Sequence, residues 1–284
     1  MDINTHTQLC GVLGNPVEHS LSPAIHNAAF QHLSLNFVYL AFQVEDIERA
    51  IAGIRALGNI RGLSVTIPHK VSAIPHLNDI DPTAQHIGAI NTIVKTQSTL
   101  TGYNTDALGA LRAIKEQHIP LHDAHVLLVG SGGAARALAF GLAIDGGISK
   151  LTIVGIDQRE RQELVNDLRQ RTPITVKEGD LSQDSLKPMI AEVRLLIHCT
   201  PIGMHPNVDA SCIPRELLSP HLAIMDIVYN PLETQLLKDA AQAGCQTIPG
   251  IDMFLYQAVA QFELWTEQPA PVDVMRRVLE SHFS

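Results

Sequence analysis

Short runs of β-branched and apolar residues alternate, over roughly the first third of the chain, with stretches whose apolar positions recur at helical spacing. Residues 8–13, 37–44, 62–67 and 89–94 read as strands. Residues 23–33 and 46–57 read as helices, with Asp46 near the N-cap of the second, and another helical stretch starts near Lys70. A second series follows the polar segment 116–125. Its strands fall at 126–129, 151–154, 174–177, 195–198 and 223–228, with helices notably at 133–144 and 159–169. Two helices, about 253–265 and 272–281, close the chain. Residues 103–109 carry no Pro/Gly/Ser linker and predict a helix running from one domain into the next. Such alternation predicts an α/β protein whose mainly parallel sheets are covered on both faces.

A chain of 284 residues can build two modest domains, and 45% hydrophobic residues are enough for a full core in each. The apolar runs are too short to cross a bilayer, and the first residues show neither a basic start nor an apolar stretch of the export type. Cys10, Cys199, Cys212 and Cys245 are scattered, which fits a reduced, cytoplasmic protein. A net charge of −9 argues against nucleic acid or an anionic membrane as partner. Binding a small anion would then require a local set of hydrogen-bond donors. The 14 histidines are scattered, and apart from His118-x-x-x-His122, interrupted by Pro120, none has the spacing of a metal motif, so no metal site is expected.

The strand at 126–129 runs into Gly130-Ser131-Gly132-Gly133-Ala134-Ala135-Arg136, which matches G-x-G-x-x-G/A at Gly130, Gly132 and Ala135. Gly130 permits the tight turn, Gly132 lets a pyrophosphate approach the backbone, and a small residue at 135 packs the helix on the strand. The helix amides then face the phosphates. An ordinary β-α turn is the competing reading, and the ordered strand, turn and helix favour a dinucleotide. Asp157 stands near the end of the next strand, where a carboxylate binds the ribose hydroxyls of NAD and repels a 2′-phosphate. Arg159 and Arg161 could instead clamp that phosphate, or all three could be a solvated helix start. NAD is favoured, with NADP as the alternative.

Four polar clusters end strands or open helices. Gly14 to Pro23 places Ser20 and Ser22 on a loop braced by Pro16 and Pro23, with N-capping by Ser22 as the plainer reading. Gly62 to Lys70 turns at Pro68 after Thr66, setting Lys70 near the end of a strand, where α/β sheets place ligands. Asn91 follows Gly88-Ala-Ile, and Asp106 follows Asn104-Thr105 at a helix start, where a dipole role competes.

Together these clusters resemble the shikimate/quinate dehydrogenase family, over nearly the whole chain. The resemblance implies an N-terminal α/β substrate domain (1–104, completed by helices in 248–284), a Rossmann-type domain (105–247), and a site in the cleft between them. It implies substrate contacts from Ser20, Ser22, Thr66, Asn91, Tyr229 and Gln257, a catalytic pair Lys70 and Asp106, and cofactor contacts that include Thr200 and Gly250. The implied reaction is reversible NAD(P)-dependent oxidation of shikimate, with quinate as a further substrate of the family, in a monomer or homodimer. Lys70 would be the general acid/base or would stabilise the developing oxyanion.

Three positions depart from the family's common pattern. Ser64 replaces a frequent Asn, Gly155-Ile156-Asp157 replaces an Asn-Arg-Thr often seen with NADP, and His198-Cys199-Thr200-Pro201 replaces Asn-Ala-Thr-Pro. The competing classes are a ligand sensor without turnover, a folate-linked methylene dehydrogenase, and a metal enzyme. Retention of both Lys70 and Asp106 argues against the sensor.

Overall fold

In the computed structural model, which describes residues 3–283, the first apolar run forms β1 (Gln8–Gly14). It pairs in parallel with β2 (Phe37–Gln43) on one side and β3 (Ile60–Val65) on the other. The sheet continues through β5 (Thr92–Thr96) and β6 (Thr99–Tyr103) to the two-residue β4 (Asp79–Ile80), in the order β2-β1-β3-β5-β6-β4. Parallel pairing holds for β1 with β2 and β3 and for β4 with β6, whereas β5 runs antiparallel to both its neighbours. The β5–β6 hairpin escapes a reading by pattern because its turn is Gln97-Ser98. Gln97 takes φ 57° without the Asn or Gly that usually marks such a turn.

Four helices belong to this sheet: α1 (Ser22–His32), α2 (Ile47–Ala56), α3 (His69–Ser72) and α4 (Pro82–Ile87). Asp46 caps α2 by accepting from the Arg49 amide, as its position predicts. Capping by Ser22, in contrast, does not occur: the helix already includes Ser22, Leu21 is its N-cap, and no side chain caps it. Pro23 sits in the first turn and has no amide to offer there, which removes one of the donors a cap would satisfy.

The chain divides into two compact units, one running to Thr105 and resuming at Gln257, the other spanning residues 106–256. In the second, α5 (Thr105–Glu116) leads to β7 (His125–Val129), α6 (Gly133–Ile144), β8 (Lys150–Val154), α7 (Gln158–Arg171) and β9 (Thr175–Gly179). Then follow α8 (Gln183–Glu192), β10 (Leu195–His198), β11 (Ala223–Asp226), α9 (Gln235–Gln242) and β12 (Gln246–Ile248). All six strands are parallel, in the order β12-β11-β10-β7-β8-β9. Read from the other edge, this is the doubly wound Rossmann order. Val126, Leu127, Leu128 and Val129 are all fully buried, as expected of a strand covered on both faces.

Helix α10 (Gly250–Thr266) carries the chain back to the first unit, where α11 (Val272–Ser281) packs on α1. Trp265 at the end of α10 is fully buried and donates from Nε1 to the Ile93 carbonyl at 3.0 Å. The space it fills exists because position 62 lacks a side chain: a Cβ there would come within 2.0 Å of the indole ring and 2.8 Å of the Ile93 oxygen. Gly62→Ala is therefore expected to overpack the core and lower stability by ~1–3 kcal/mol. Chemical denaturation checks this, and an unchanged midpoint would mean that the Trp265 packing is not specific.

Candidate active site

The polar side chains of the first unit gather where the parallel strands end. Leaving β1, the chain turns through Gly14 and Asn15, and the Asn15 amide donates to the Ile67 carbonyl just past β3. The Thr66 amide donates back to Leu13, and the Thr66 methyl lies where a Cβ on Gly14 would stand, 2.4 Å away. These bonds tie the turn after β1, which leads into the Ser20/Ser22 loop, to the turn after β3. The Ser22 amide donates to Ser20 Oγ at 3.3 Å, so the two hydroxyls share one short turn.

Lys70 lies in α3, a single turn after Pro68. Its neighbour His69 is buried and its Nε2 meets the Val44 carbonyl at 2.7 Å, which anchors the turn and leaves the half-buried Lys70 on its outer side. The Lys70 carbonyl accepts from the Ile90 amide at 2.9 Å, tying the turn to the segment before β5. Because β5 is antiparallel, its beginning lies at the same edge of the sheet as the ends of β1 and β3. Asn91 accordingly sits opposite Val65, whose amide it accepts at 2.8 Å.

Asn91 is held by a buried chain of hydrogen bonds. The Tyr39 hydroxyl donates to Ser64 Oγ (2.7 Å), Ser64 to Gln261 Oε1 (2.9 Å), and Gln261 Nε2 to Thr92 Oγ1 (2.9 Å) and the Asn91 carbonyl (3.2 Å). Thr92 Oγ1 and the Thr105 amide each donate to Asn91 Oδ1 at 2.8 Å, which fixes the carboxamide with its oxygen inward. Ser64, one of the departures from the family's common pattern, is the middle link of this chain. Gln257 stands one helical turn before Gln261 and is 9% exposed. Tyr39, His69 and Gln261 were not singled out by their sequence. The four-residue spacing of Gln257 and Gln261 on an otherwise apolar helix was the available signal.

In the second unit, Asp106 occupies the first turn of α5, and α5 packs tightly enough that a Cβ on Gly141 of α6 would lie 2.6 Å from that of Ala107. The Tyr229 ring packs against Phe254 at a tilt of 39°, with ring centroids 5.1 Å apart. Gly250 opens α10 so close to the end of β11 that a Cβ would lie 2.5 Å from the Val228 oxygen.

The glycine turn is built as a phosphate loop requires. Gly130 has φ +116°, and a Cβ on it would lie 2.7 Å from the Cys199 carbonyl, so a side chain is excluded on both counts. Ala135, in the first turn of α6, is fully buried. A Cβ on Gly132 or Gly133, by contrast, would meet nothing within 4 Å, so these two glycines keep clear a space on the solvent side of the α6 N-terminus. That space, with the amides of Gly133, Ala134 and Ala135 around it and Ser131 at its start, fits a pyrophosphate.

At the end of β8, Gly155 lies against this turn, Ile156 is 89% exposed, and Asp157 caps α7 by accepting from the Glu160 amide at 2.9 Å. The nearby cations are already engaged: Arg159 pairs with Glu163 at 2.9 Å, and Arg161 with Glu178 and the Gly155 carbonyl. Across the sheet, His198 at the end of β10 is fully buried between Asp226 and Thr200. Among the described residues, no cluster of three or more His, Cys, Asp or Glu is arranged to hold a metal ion.

Comparison with known proteins points to one family. Residues 12–93 match the shikimate dehydrogenase substrate binding domain, and residues 250–280 the shikimate 5′-dehydrogenase C-terminal domain. A shikimate dehydrogenase (NADP(+)) of Desulforamulus reducens is 43% identical over 99% of this chain and 98% of its own. Shikimate 5-dehydrogenase from Listeria monocytogenes, solved with shikimate and NAD, is 35% identical with a TM-score of 0.94, covering 98% of both chains. Quinate dehydrogenase from Corynebacterium glutamicum, solved with NAD, is 29% identical with a TM-score of 0.89, covering 97% of this chain and 99% of its own. With likeness of that extent along its whole length, the chain belongs to the shikimate dehydrogenase family.

Proposed function

We propose that the protein catalyses the reversible NAD(P)-dependent oxidation of shikimate to 3-dehydroshikimate, as an oxidoreductase acting on a secondary alcohol. The observation that carries this reading is the set of polar groups at one edge of the first sheet. Backbone hydrogen bonds there join the segments bearing Thr66, Lys70 and Asn91 to one another and to Leu13 and Asn15, just before the Ser20/Ser22 turn, in a chain whose relatives are shikimate dehydrogenases over nearly their full length. When bound, a nicotinamide dinucleotide supplies the hydride acceptor. Gly130, Ser131, Gly132, Gly133, Ala134 and Ala135 would hold its pyrophosphate, with Asp157, Thr200 and Gly250 completing its contacts.

In this reading, Ser20 and Ser22 bind the ring carboxylate with their hydroxyls, which suits an acidic protein with no arginine in that loop. Thr66, Asn91 and Gln257 hold the ring hydroxyls, and Tyr229 contacts the ring. A ring that leaves any of these buried polar groups unmatched is rejected, because a desolvated donor without a partner is costly. Lys70 serves as general acid/base at the reacting hydroxyl, with Asp106 as its partner. The first unit with the C-terminal helices would thus be the substrate domain and the second the cofactor domain.

For the cofactor, NAD is proposed over NADP, although the curated relatives carry NADP(+) in their names. The Asp157 carboxylate stands where a ribose is bound in this fold. Arg161, one of the cations that could neutralise a 2′-phosphate, is held by Glu178 and the Gly155 carbonyl, while the exposed Arg159 pairs with Glu163 of its own helix.

Lys70→Ala is expected to reduce turnover by ~10²–10⁴-fold with little change in substrate affinity. Steady-state rates with shikimate and with quinate check this, and near-normal turnover would remove Lys70 from the chemistry. Asp157→Asn keeps the helix cap and removes the charge. It should raise the preference for NADP relative to NAD, and an unchanged ratio of the two kcat/KM values would refute the assignment of Asp157.

A further inference from the structure

Where the family pattern has asparagine, this chain buries a histidine next to a carboxylate. His198 and Asp226 are 1% and 0% exposed, and they are register partners on the parallel strands β10 and β11. Asp226 Oδ1 meets His198 Nδ1 at 2.8 Å and accepts from the Val228 amide at 3.0 Å, while Oδ2 accepts from Thr234 at 2.6 Å. Thr234 in turn caps α9. On its other side, His198 Nε2 meets Thr200 Oγ1 at 2.5 Å, and the same oxygen accepts from the Ile202 amide at 3.2 Å. Thr200 is only half-buried, and its methyl lies 3.2 Å from where a Cβ on Gly130 would stand. One hydrogen-bonded line therefore runs from a buried carboxylate, through the imidazole, to a hydroxyl at the rim of the glycine turn.

We propose that His198 is a positioning residue for the cofactor: as an imidazolium it donates to both Asp226 and Thr200, so that the Thr200 hydroxyl proton is turned outward as a donor to the bound dinucleotide. The argument is one of hydrogen-bond capacity. A hydroxyl oxygen has two acceptor sites and one proton. With Nε2–H and the Ile202 amide both donating to it, the acceptor sites are filled and the O–H must point elsewhere. With His198 neutral and Nδ1–H kept on Asp226, Nε2 becomes an acceptor. The Thr200 proton then turns inward and the rim loses its donor.

The titratable groups facing the imidazole are Asp226 from β11 and Cys212 from the segment between β10 and β11, while its register partner on β7 is the apolar Val129. Burial opposes the charged ring, but its hydrogen bond to the Asp226 carboxylate, with Cys212 close by, outweighs it and pushes the pKa up to about 9. An asparagine at 198 could bond both neighbours but could not change state with pH. The histidine thus makes the donor at the rim of the turn conditional on pH, an addition to the cofactor site that the reading above does not require.

This inference rests on the reading of the glycine turn as a dinucleotide site, and the test separates the two. Binding of NAD and of NADP to the full-length protein is measured by calorimetry from pH 6.5 to 10, for wild type, His198→Asn and Thr200→Val. NMR of ring-labelled histidine in the protein without cofactor follows the protonation of His198 directly. Expected are a ring protonated on both nitrogens at pH 7 and wild-type binding that weakens several-fold as pH rises through about 9. Both variants should bind with this limb absent, while their melting temperatures show that they fold. A neutral His198 at pH 7, or His198→Asn retaining the limb, overturns the proposal alone. Failure of wild type to bind either dinucleotide overturns the cofactor reading and the proposal with it.

Discussion

A parallel strand buried on both faces has no room for chemistry until it ends. In β7 four successive residues are fully buried, and the first polar or flexible position after them is Gly130, where the backbone leaves the sheet. The same constraint acts on β1 and β3, which are buried up to Gly14 and Val65 and are followed at once by the loops bearing Ser20, Ser22, Thr66 and Lys70. Functional groups are thus concentrated at one edge of each sheet because elsewhere along these strands they would be desolvated without partners.

Asp226, the last residue of β11, is a fully buried carboxylate, and the neighbouring structure is arranged around it. A carboxylate at 0% exposure needs donors, and it receives three, from a backbone amide, a threonine that caps α9, and His198. In the first unit, the chain from Tyr39 through Ser64 and Gln261 to Asn91 does the equivalent work without any formal charge. Both networks bring a rigid polar group to the edge of a sheet, and rigid placement is what discriminates among similar small rings and cofactors.

Much of this was legible in the sequence because it follows local rules. The strand, turn and helix around Gly130 and the cap at Asp46 depend on residues within a few positions of one another, and they came out as the pattern predicts. What escaped had a non-local cause. The β5–β6 hairpin lacks turn-specific residues, and the start of β5 matters only because the strand runs antiparallel. Tyr39 and Gln261 look like ordinary strand and helix residues until β2, β3 and α10 are seen to converge on Ser64. Ser22 was an attractive helix cap by composition, but the helix starts at Ser22 itself.

Oxidation of shikimate by this site requires that a hydrogen on its carbinol carbon leave as hydride to a nicotinamide. It is tested most directly by incubating the protein with NAD and shikimate deuterated at the carbon that becomes the ketone, and locating the label by mass spectrometry. Deuterium in the reduced nicotinamide, together with 3-dehydroshikimate in equal amount, is the predicted result. Tight binding of both compounds with no transfer of label would contradict it and leave a sensor in place of an enzyme.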